Sequence, residues 1–306
     1  MPRWPGPVLA IGGAILVVGS VTAAALDAQG SVDVGDPSLL AWLTFLGVVT
    51  TLVGLGYIAV RQLRVRRHLP PERYRGPGVI ILVLLVLGFA FLVALPFGAD
   101  ALVLTGGEGE VSPLGAAVLL LSTQVALLLV SWLLVFRPGA LAGLPSLPGR
   151  DPSGAVTSGL GWGLVAWVGA TVVAGVVVAI LQAIGIEPEP QVAGQAIATL
   201  DPWLVVLAVV IMAPVAEEIF FRGVVFNALL REGGRRWAYI GSSALFGIIH
   251  LELVAVVPLF LLGLALAWIY ERTTNLLAPI AMHATVNGIS VALALLVRFD
   301  VVQLPI

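Results

Sequence analysis

Long stretches without a charged residue run through this chain and restrict what it can fold into. A helix needs about 20 apolar residues to cross the hydrocarbon core of a bilayer, and six of the stretches are long enough on their own. Three are shorter, because ionisable residues interrupt what would otherwise be ordinary spans. The uncharged stretches are 4–26, 37–60, 76–99, 111–136, 152–186, 202–216, 237–251, 253–270 and 273–297.

Composition agrees with a protein that is solvated by lipid. Of the 306 residues, 59% are hydrophobic and only 10% are charged, a balance far from that of soluble domains. A chain in lipid must satisfy its backbone hydrogen bonds internally, so the sequence predicts an all-α integral membrane protein. We expect a polytopic bundle of about eight or nine transmembrane helices.

The charges in the connecting segments alternate in sign, and this alternation predicts the orientation. Arginines collect in the connecting segments of one side of the membrane, and segment 61–75 has six of them. The charged residues in the loops of the other side are all acidic. By the positive-inside rule, the N-terminus and the arginine loops are cytoplasmic. Arg298 is the exception. The other arginines of this side are Arg3, Arg137, Arg150, Arg231, Arg235, Arg236 and Arg272, and the acidic residues opposite are Asp27, Asp33, Asp36, Asp100, Glu108, Glu110, Glu187, Glu189 and Asp201.

The first span has a second interpretation. Arg3, an apolar run and three alanines at 23–25 resemble a secretory signal peptide with a small-residue cleavage site. The uncharged run is long for the apolar region of such a peptide, so we favour a retained span.

A loop rich in proline and glycine, 137–156, divides the chain. We expect a four-helix transmembrane region of unassigned role at 1–150 and a catalytic transmembrane domain at 151–306, because every ionisable residue within a span falls in the second part. No internal repeat supports a transporter of paired half-helices. The sequence has no cysteine, which excludes thiolate chemistry, and no basic stripe suggests nucleic acid.

The sixth stretch ends in two carboxylates, Glu217 and Glu218. Arg222 follows Glu218 by four residues on the same helical face, and that spacing permits an ion pair. Glu217 projects about 100° away and can face a different neighbour. Pro214, three residues earlier, removes a backbone donor and favours a kink that admits water. A purely structural Glu218–Arg222 pair near the interface is the alternative interpretation.

Two later stretches carry the histidines. His250 follows Phe246 by one turn, and Asn287 follows His283 by one turn. Estimated from the helical rise, Glu217 and the two histidines come out at depths that allow them to meet. A carboxylate, two imidazoles and an amide suit hydrolysis, as a base for water and donors for an oxyanion. The third histidine, His68, lies in the arginine-rich segment and is expected at the surface.

In order, these residues form Glu-Glu-x-x-x-Arg, Phe-x-x-x-His and His-x-x-x-Asn on successive membrane helices. The set resembles the CPBP intramembrane proteases, which include the type II CAAX prenyl endopeptidases and the bacteriocin-processing and immunity relatives. The resemblance covers residues 200–297.

What the resemblance implies is an intramembrane endopeptidase of the glutamate type. Glu217 would be the general base and act with His250 on the attacking water. His283 and Asn287 would hold the oxyanion, and Glu218 with Arg222 would orient the base. We also expect Phe246 to contact the substrate.

Metal dependence stays open at this point. Glu217, His250 and His283 offer the ligands of a two-histidine, one-carboxylate zinc site, but the helical H-E-x-x-H motif of zinc proteases is absent. We favour a mechanism without cofactor, with Zn²⁺ as the alternative.

Other functional classes also remain. A non-catalytic scaffold or immunity protein could retain the site, and a transporter could use Glu217 as a carrier group. We expect a peptide or membrane-protein substrate and residence in the cell membrane, as a multi-pass protein of a bacterial inner membrane.

Overall fold

The computed structural model describes residues 4–28, 31, 37–97, 113–141, 151–186 and 197–301. Within these ranges the regular secondary structure is helical, so the predicted all-α class is confirmed. The helices, numbered along the chain, are α1 (Pro5–Ala28), α2 (Pro37–Arg66), α3 (Val79–Ala94), α4 (Pro113–Ser131), α5 (Pro152–Ala183), α6 (Pro202–Gly233), α7 (Arg235–Ile248), α8 (Leu253–Thr273) and α9 (Leu277–Arg298).

Six of the described helices are long and apolar enough to cross a membrane: α1, α2, α5, α6, α8 and α9. This makes the protein a multi-pass membrane protein. Two further apolar segments, Val79–Ala94 and Leu120–Phe136, are shorter. Helix α7 ends at Ile248, before His250, and has only 14 residues. This is shorter than a membrane span normally requires, so the expected total of eight or nine spans stays a prediction.

The described residues form two compact units. One comprises Met1–Leu69 and Arg75–Ala140, and the other comprises Pro70–Tyr74 and Leu141–Ile306. All motif residues belong to the second unit. The predicted boundary at residue 150 falls at the end of segment 142–150, which lies outside the described residues.

Small residues let α1 and α2 of the first unit approach closely. A Cβ on Gly13 would lie 2.5 Å from Gly47 O, and one on Gly47 would lie 2.9 Å from Gly13 O. Further along the same interface, the hydroxyls of Ser20 and Thr44 share a hydrogen bond of 2.8 Å. Close packing and a polar contact between small residues are the usual means of helix association in lipid.

In the second unit, α5 packs against α9 in the same manner. A Cβ on Gly163 would lie 2.5 Å from the Cβ of Thr285, and Gly159 faces the backbone of Ala278 just as closely. This interface holds α9, which carries His283 and Asn287.

Helix α6 departs from regular α-helical geometry over much of its length. Its stretches Val206–Met212 and Ile219–Phe226 are π-helical, and they flank the α-helical turn Ala213–Glu218 that carries both glutamates. π-helical turns inside helices are frequent at functional sites. The irregularity surrounds Pro214, where the sequence predicts a kink.

Arg298, the exception to the charge pattern, has a structural explanation. Its guanidinium donates to the carbonyl oxygens of Ile197 and Leu200, at 2.8 and 2.6 Å. An arginine that caps free carbonyls is held where it stands, whatever the charge bias of the loops. The orientation itself stays a prediction, and Arg3, Arg150, Asp33, Asp36, Asp100, Glu108, Glu110, Glu187 and Glu189, which contribute to it, lie outside the described residues.

Candidate active site

Glu217 lies at the centre of a polar cluster formed by α6, α9 and the turn after α7. Its carboxylate oxygen Oε2 is 4.0 Å from Nε2 of His250 and 4.0 Å from Nε2 of His283. The residue is 9% exposed, and Oε2 accepts no hydrogen bond from the protein. Buried polar atoms normally have a partner, so this oxygen is the unsatisfied acceptor at the centre of the cluster.

Glu218 and Arg222 form a buried ion pair one turn apart. Arg222 Nη1 donates to Glu218 Oε1 at 3.0 Å, and both side chains are fully buried. Arg222 Nη2 donates to the backbone oxygen of Gly263 on α8, also at 3.0 Å. The pair therefore joins α6 to α8, and it does so beneath the neighbouring Glu217.

The hydrogen bonds of the two imidazoles define their neutral tautomers. His283 Nδ1 lies 3.0 Å from Glu218 Oε1, and His250 Nδ1 lies 2.7 Å from the carbonyl oxygen of Phe246. A carboxylate and a carbonyl only accept hydrogen bonds, so each Nδ1 carries the hydrogen. Both Nε2 atoms of the neutral rings are then acceptors, and both face Glu217.

Exposure differs among the three central side chains. His283 is 4% exposed, whereas His250 is 31% exposed. His250 lies in the turn after α7, next to Leu251, whose φ of 57° is in the left-handed region. The cluster is therefore most accessible from the side of His250.

Phe246 forms the apolar wall of the cluster. Its ring is fully buried, with ring-centroid distances of 5.2 Å to Phe221, 5.3 Å to His250 and 5.6 Å to His283. The guanidinium carbon of Arg222 lies 4.7 Å from the ring centroid, a cation–π arrangement. The direct substrate contact expected of Phe246 would require its neighbours to move, and the structure favours a packing role for this ring.

Asn287 makes a contact that differs from the expected one. Its amide Nδ2 donates to the backbone oxygen of Val209, in the first π-helical stretch of α6, at 2.9 Å. One of its two amide hydrogens is therefore engaged by the protein itself. The structure thus brings six of the seven motif residues into one contiguous network, from Arg222 to Phe246, and connects Asn287 to the same helix further along.

The three central side chains are also candidate zinc ligands. Glu217, His250 and His283 are of the correct chemical types, and hydrogen bonds at the two Nδ1 atoms are typical of metal-binding histidines. Among the described residues, however, no group of three His, Cys, Asp or Glu side chains is arranged to hold a metal ion. The arrangement of these side chains therefore does not fit a metal ion, and cofactor independence stays a prediction.

Two backbone oxygens belong to the site and were missed from the sequence. Gly263 O receives Arg222, and a Cβ on Gly263 would lie 2.9 Å from the Cβ of Ser243 on α7. A glycine within an apolar helix is a signal of such close packing. Val209 O receives Asn287, and the signal for it was Pro214, five residues further on.

Fold and site together define a class: a multi-pass membrane protein with a buried carboxylate–histidine centre within its helical bundle. Residues 199–289 match the family described as Type II CAAX prenyl endopeptidase Rce1-like, and this segment includes every motif residue. The chain thus carries an Rce1-like domain, and its expected resemblance to the CPBP family is confirmed.

Two bacterial relatives are similar to part of the chain. One is the "Putative membrane peptidase YdiL" of Bacillus subtilis (strain 168), 33% identical over 92 residues, which are 30% of this chain and 38% of the relative. Another is the "UPF0177 protein YxdF" of Lactococcus lactis subsp. lactis (strain IL1403), 27% identical over 78 residues, which are 25% of this chain and 42% of the relative. The matches span less than half the length of both relatives.

No solved structure matches the chain. The family match and the peptidase relative support a protease of the CAAX type that works within the membrane. The family match concerns residues 199–289, and the peptidase relative covers 30% of the chain.

Proposed function

We propose that this protein is an intramembrane endopeptidase that hydrolyses peptide bonds with a water molecule activated by Glu217 and His250. One observation carries the proposal: Oε2 of Glu217 lies 4.0 Å from Nε2 of both His250 and His283. Three atoms that can accept a proton thus lie close together. A water molecule there can hydrogen-bond to them, and a substrate carbonyl can approach past the more exposed His250.

In the proposed reaction, Glu217 takes a proton from the water as the water oxygen attacks the carbonyl carbon of the peptide. His250 Nε2 accepts a hydrogen bond from the second O–H of the water, which stays on the attacking oxygen, and so orients the attack. The C–N bond of the tetrahedral intermediate then breaks, and Glu217 returns its proton to the departing amine. General acid–base catalysis of this kind contributes about 10²–10⁴-fold.

His283 is proposed to stabilise the oxyanion. The Nε2 of its neutral ring is an acceptor, so this role requires a hydrogen on Nε2 in the intermediate, and the proton that Glu217 takes from the water supplies it before passing to the departing amine. Glu218 Oε1, bonded to Nδ1 of His283, offsets the positive charge that the ring then carries. The buried Glu218–Arg222 pair then serves to hold the ring in place.

The proposed substrate is a peptide or membrane protein reached from within the bilayer. Whether it is lipidated is a separate question from the chemistry, which needs only an accessible carbonyl. A non-catalytic scaffold or immunity protein would not need Glu217 as a base. Substitution of Glu217 therefore distinguishes the two functions.

The test compares membranes that contain the wild-type protein with membranes that contain Glu217→Gln. Glutamine has the size of glutamate but cannot take up the proton, so we expect fragments present with the wild type to vanish with the variant. Mass spectrometry of N-terminally labelled peptides identifies each cleavage site. A peptide spanning such a site then serves as the substrate for the purified protein.

Glu271→Gln is the matched control. Glu271 lies on α8, where Oε2 accepts hydrogen bonds from Arg235 and Tyr239, outside the site. We expect this variant to yield the wild-type fragments. Identical fragment patterns from wild type and Glu217→Gln would refute the proposed activity and favour a scaffold.

A further inference from the structure

Pro214 removes one backbone N–H donor from the middle of α6. In the π-helical stretch Val206–Met212, hydrogen bonds join residues five apart, and the N–H of Ala213 accordingly donates to Ala208 O. The next donor in this register would be residue 214, with Val209 O as its acceptor. Residue 214 is proline, which has no N–H.

Asn287 occupies the position of that absent donor. Its Nδ2 donates to Val209 O at 2.9 Å. An unpaired carbonyl inside a membrane protein is costly, so this contact removes a penalty that Pro214 creates. The sequence feature and the side chain that compensates for it lie 73 residues apart, on α6 and α9.

The contact has a counterpart one turn earlier on α9. His283 bonds to Glu218 and Asn287 bonds to Val209, so the two helices run antiparallel and are joined at two points. These points lie on either side of Pro214 and Glu217 along α6. The helical turn that carries Glu217 is therefore fixed at both ends by the same face of α9.

We propose that Asn287 is a positioning residue, which replaces the absent Pro214 N–H at Val209 O and thereby sets the place of Glu217 relative to His250 and His283. This inference rests on the proposed function for its catalytic consequence, whereas the coupling between Asn287 and Pro214 is independent of any activity. It differs from the sequence-based expectation, in which the amide of Asn287 contacts the oxyanion.

A double-mutant cycle between Asn287→Ala and Pro214→Ala tests the proposal. Alanine at 214 restores an N–H in register with Val209 O, which makes the amide of residue 287 dispensable. In the wild-type background we expect Asn287→Ala to lower kcat about tenfold, because misplacement of a catalytic group lowers the rate, with KM unchanged. In the Pro214→Ala background the same substitution should lower kcat less than about threefold.

The matched control is Asn227→Ala. Asn227 also donates from Nδ2 to carbonyls of α6, those of Arg222 and Gly223, but neither was freed by Pro214. Its effect should therefore be the same in both backgrounds. Equal losses from Asn287→Ala in both backgrounds would overturn the proposal and assign Asn287 to the reacting atoms instead.

The same four proteins are also compared by their thermal unfolding in detergent. Asn287→Ala should lower Tm, and this decrease should be smaller when residue 214 is alanine. Strictly additive Tm changes would refute the coupling even if the protein cleaves no peptide. If the Tm changes are coupled but Glu217→Gln yields the same peptide fragments as the wild type, the proposed protease function is refuted. The coupling between Asn287 and Pro214 then still stands.

Discussion

Glu218 Oε1 and His283 Nδ1 lie 3.0 Å apart, with both side chains buried. The same oxygen receives Arg222 at 3.0 Å, so one carboxylate atom joins the ion pair to the imidazole. Because the carboxylate can only accept, it determines which nitrogen of His283 carries the hydrogen. The second glutamate of the motif therefore acts on the ring that faces the first.

The tautomers of the two histidines are the most direct consequence of this arrangement. We expect ¹⁵N NMR of histidine-labelled protein in detergent to find the neutral rings of His250 and His283 as Nδ1–H tautomers. Glu218→Ala should convert His283 to a mixture of tautomers. His250 serves as the internal control, because its acceptor is the backbone oxygen of Phe246. A His283 signal that is Nε2–H in the wild type, or that Glu218→Ala leaves unchanged, would contradict the geometry.

Arg222 is expected to be important for stability. Its removal leaves Glu218 as a buried charge without its cation and Gly263 O without a donor, so Arg222→Ala should lower the free energy of unfolding by about 3–5 kcal/mol. Arg222→Lys should restore part of this, since a single ammonium cannot reproduce the fork that reaches both acceptors. Reversible unfolding in mixed micelles measures both changes.

The control for Arg222 is Arg235→Ala. Arg235 also pairs with a glutamate, Glu271, at 2.7 Å, but its side chain is 71% exposed. Exposed ion pairs contribute little, so this variant should unfold much as the wild type does. Similar losses from the two substitutions would contradict the assignment of Arg222 as a structural cation of the interior.

Cleavage is expected to be independent of bound metal. The three donor side chains at the cluster are not arranged to hold an ion. Incubation of the purified protein with a strong chelator should therefore leave its rate of cleavage within about twofold of the untreated rate. Loss of the acid–base catalysis itself would lower the rate by about 10²–10⁴-fold. Metal analysis of the same sample accompanies the assay. Activity lost to the chelator and regained with zinc would establish the alternative mechanism.

The sequence predicted the elements of this site better than their connections. Ionisable residues in apolar stretches are rare and costly, so Glu217, Glu218, Arg222, His250 and His283 stood out, and helical spacing indicated which of them share a face. The contact of Glu218 with His283 could not be predicted, because it depends on the packing of α9 against α6, whereas the i,i+4 spacing already indicated the pair with Arg222. Burial of Phe246 was likewise a matter of tertiary contacts.

Helix boundaries were predicted least well. The stretch 237–251 was read as a span from its lack of charge, but α7 has only 14 residues, and His250 lies in the turn beyond it. Hydropathy measures how apolar a segment is, but it does not indicate the residue at which the helical hydrogen bonds end. The π-helical geometry of α6 also escaped prediction, although Pro214 marked its position.

Gly263 provides a final prediction, since it combines close helix packing with a site contact. A Cβ at this position would lie 2.9 Å from Ser243 Cβ and 3.0 Å from Ser243 Cα, which forces α7 and α8 apart and moves the oxygen that receives Arg222. Gly263→Ala should therefore cost about 1–3 kcal/mol of stability, as overpacking does, and should lower kcat. Gly169→Ala is the control, because no atom lies within 4 Å of a Cβ there and alanine favours the helix. Unfolding of both variants in the same detergent decides the matter, and an equal or larger loss from Gly169→Ala would contradict a special role for Gly263.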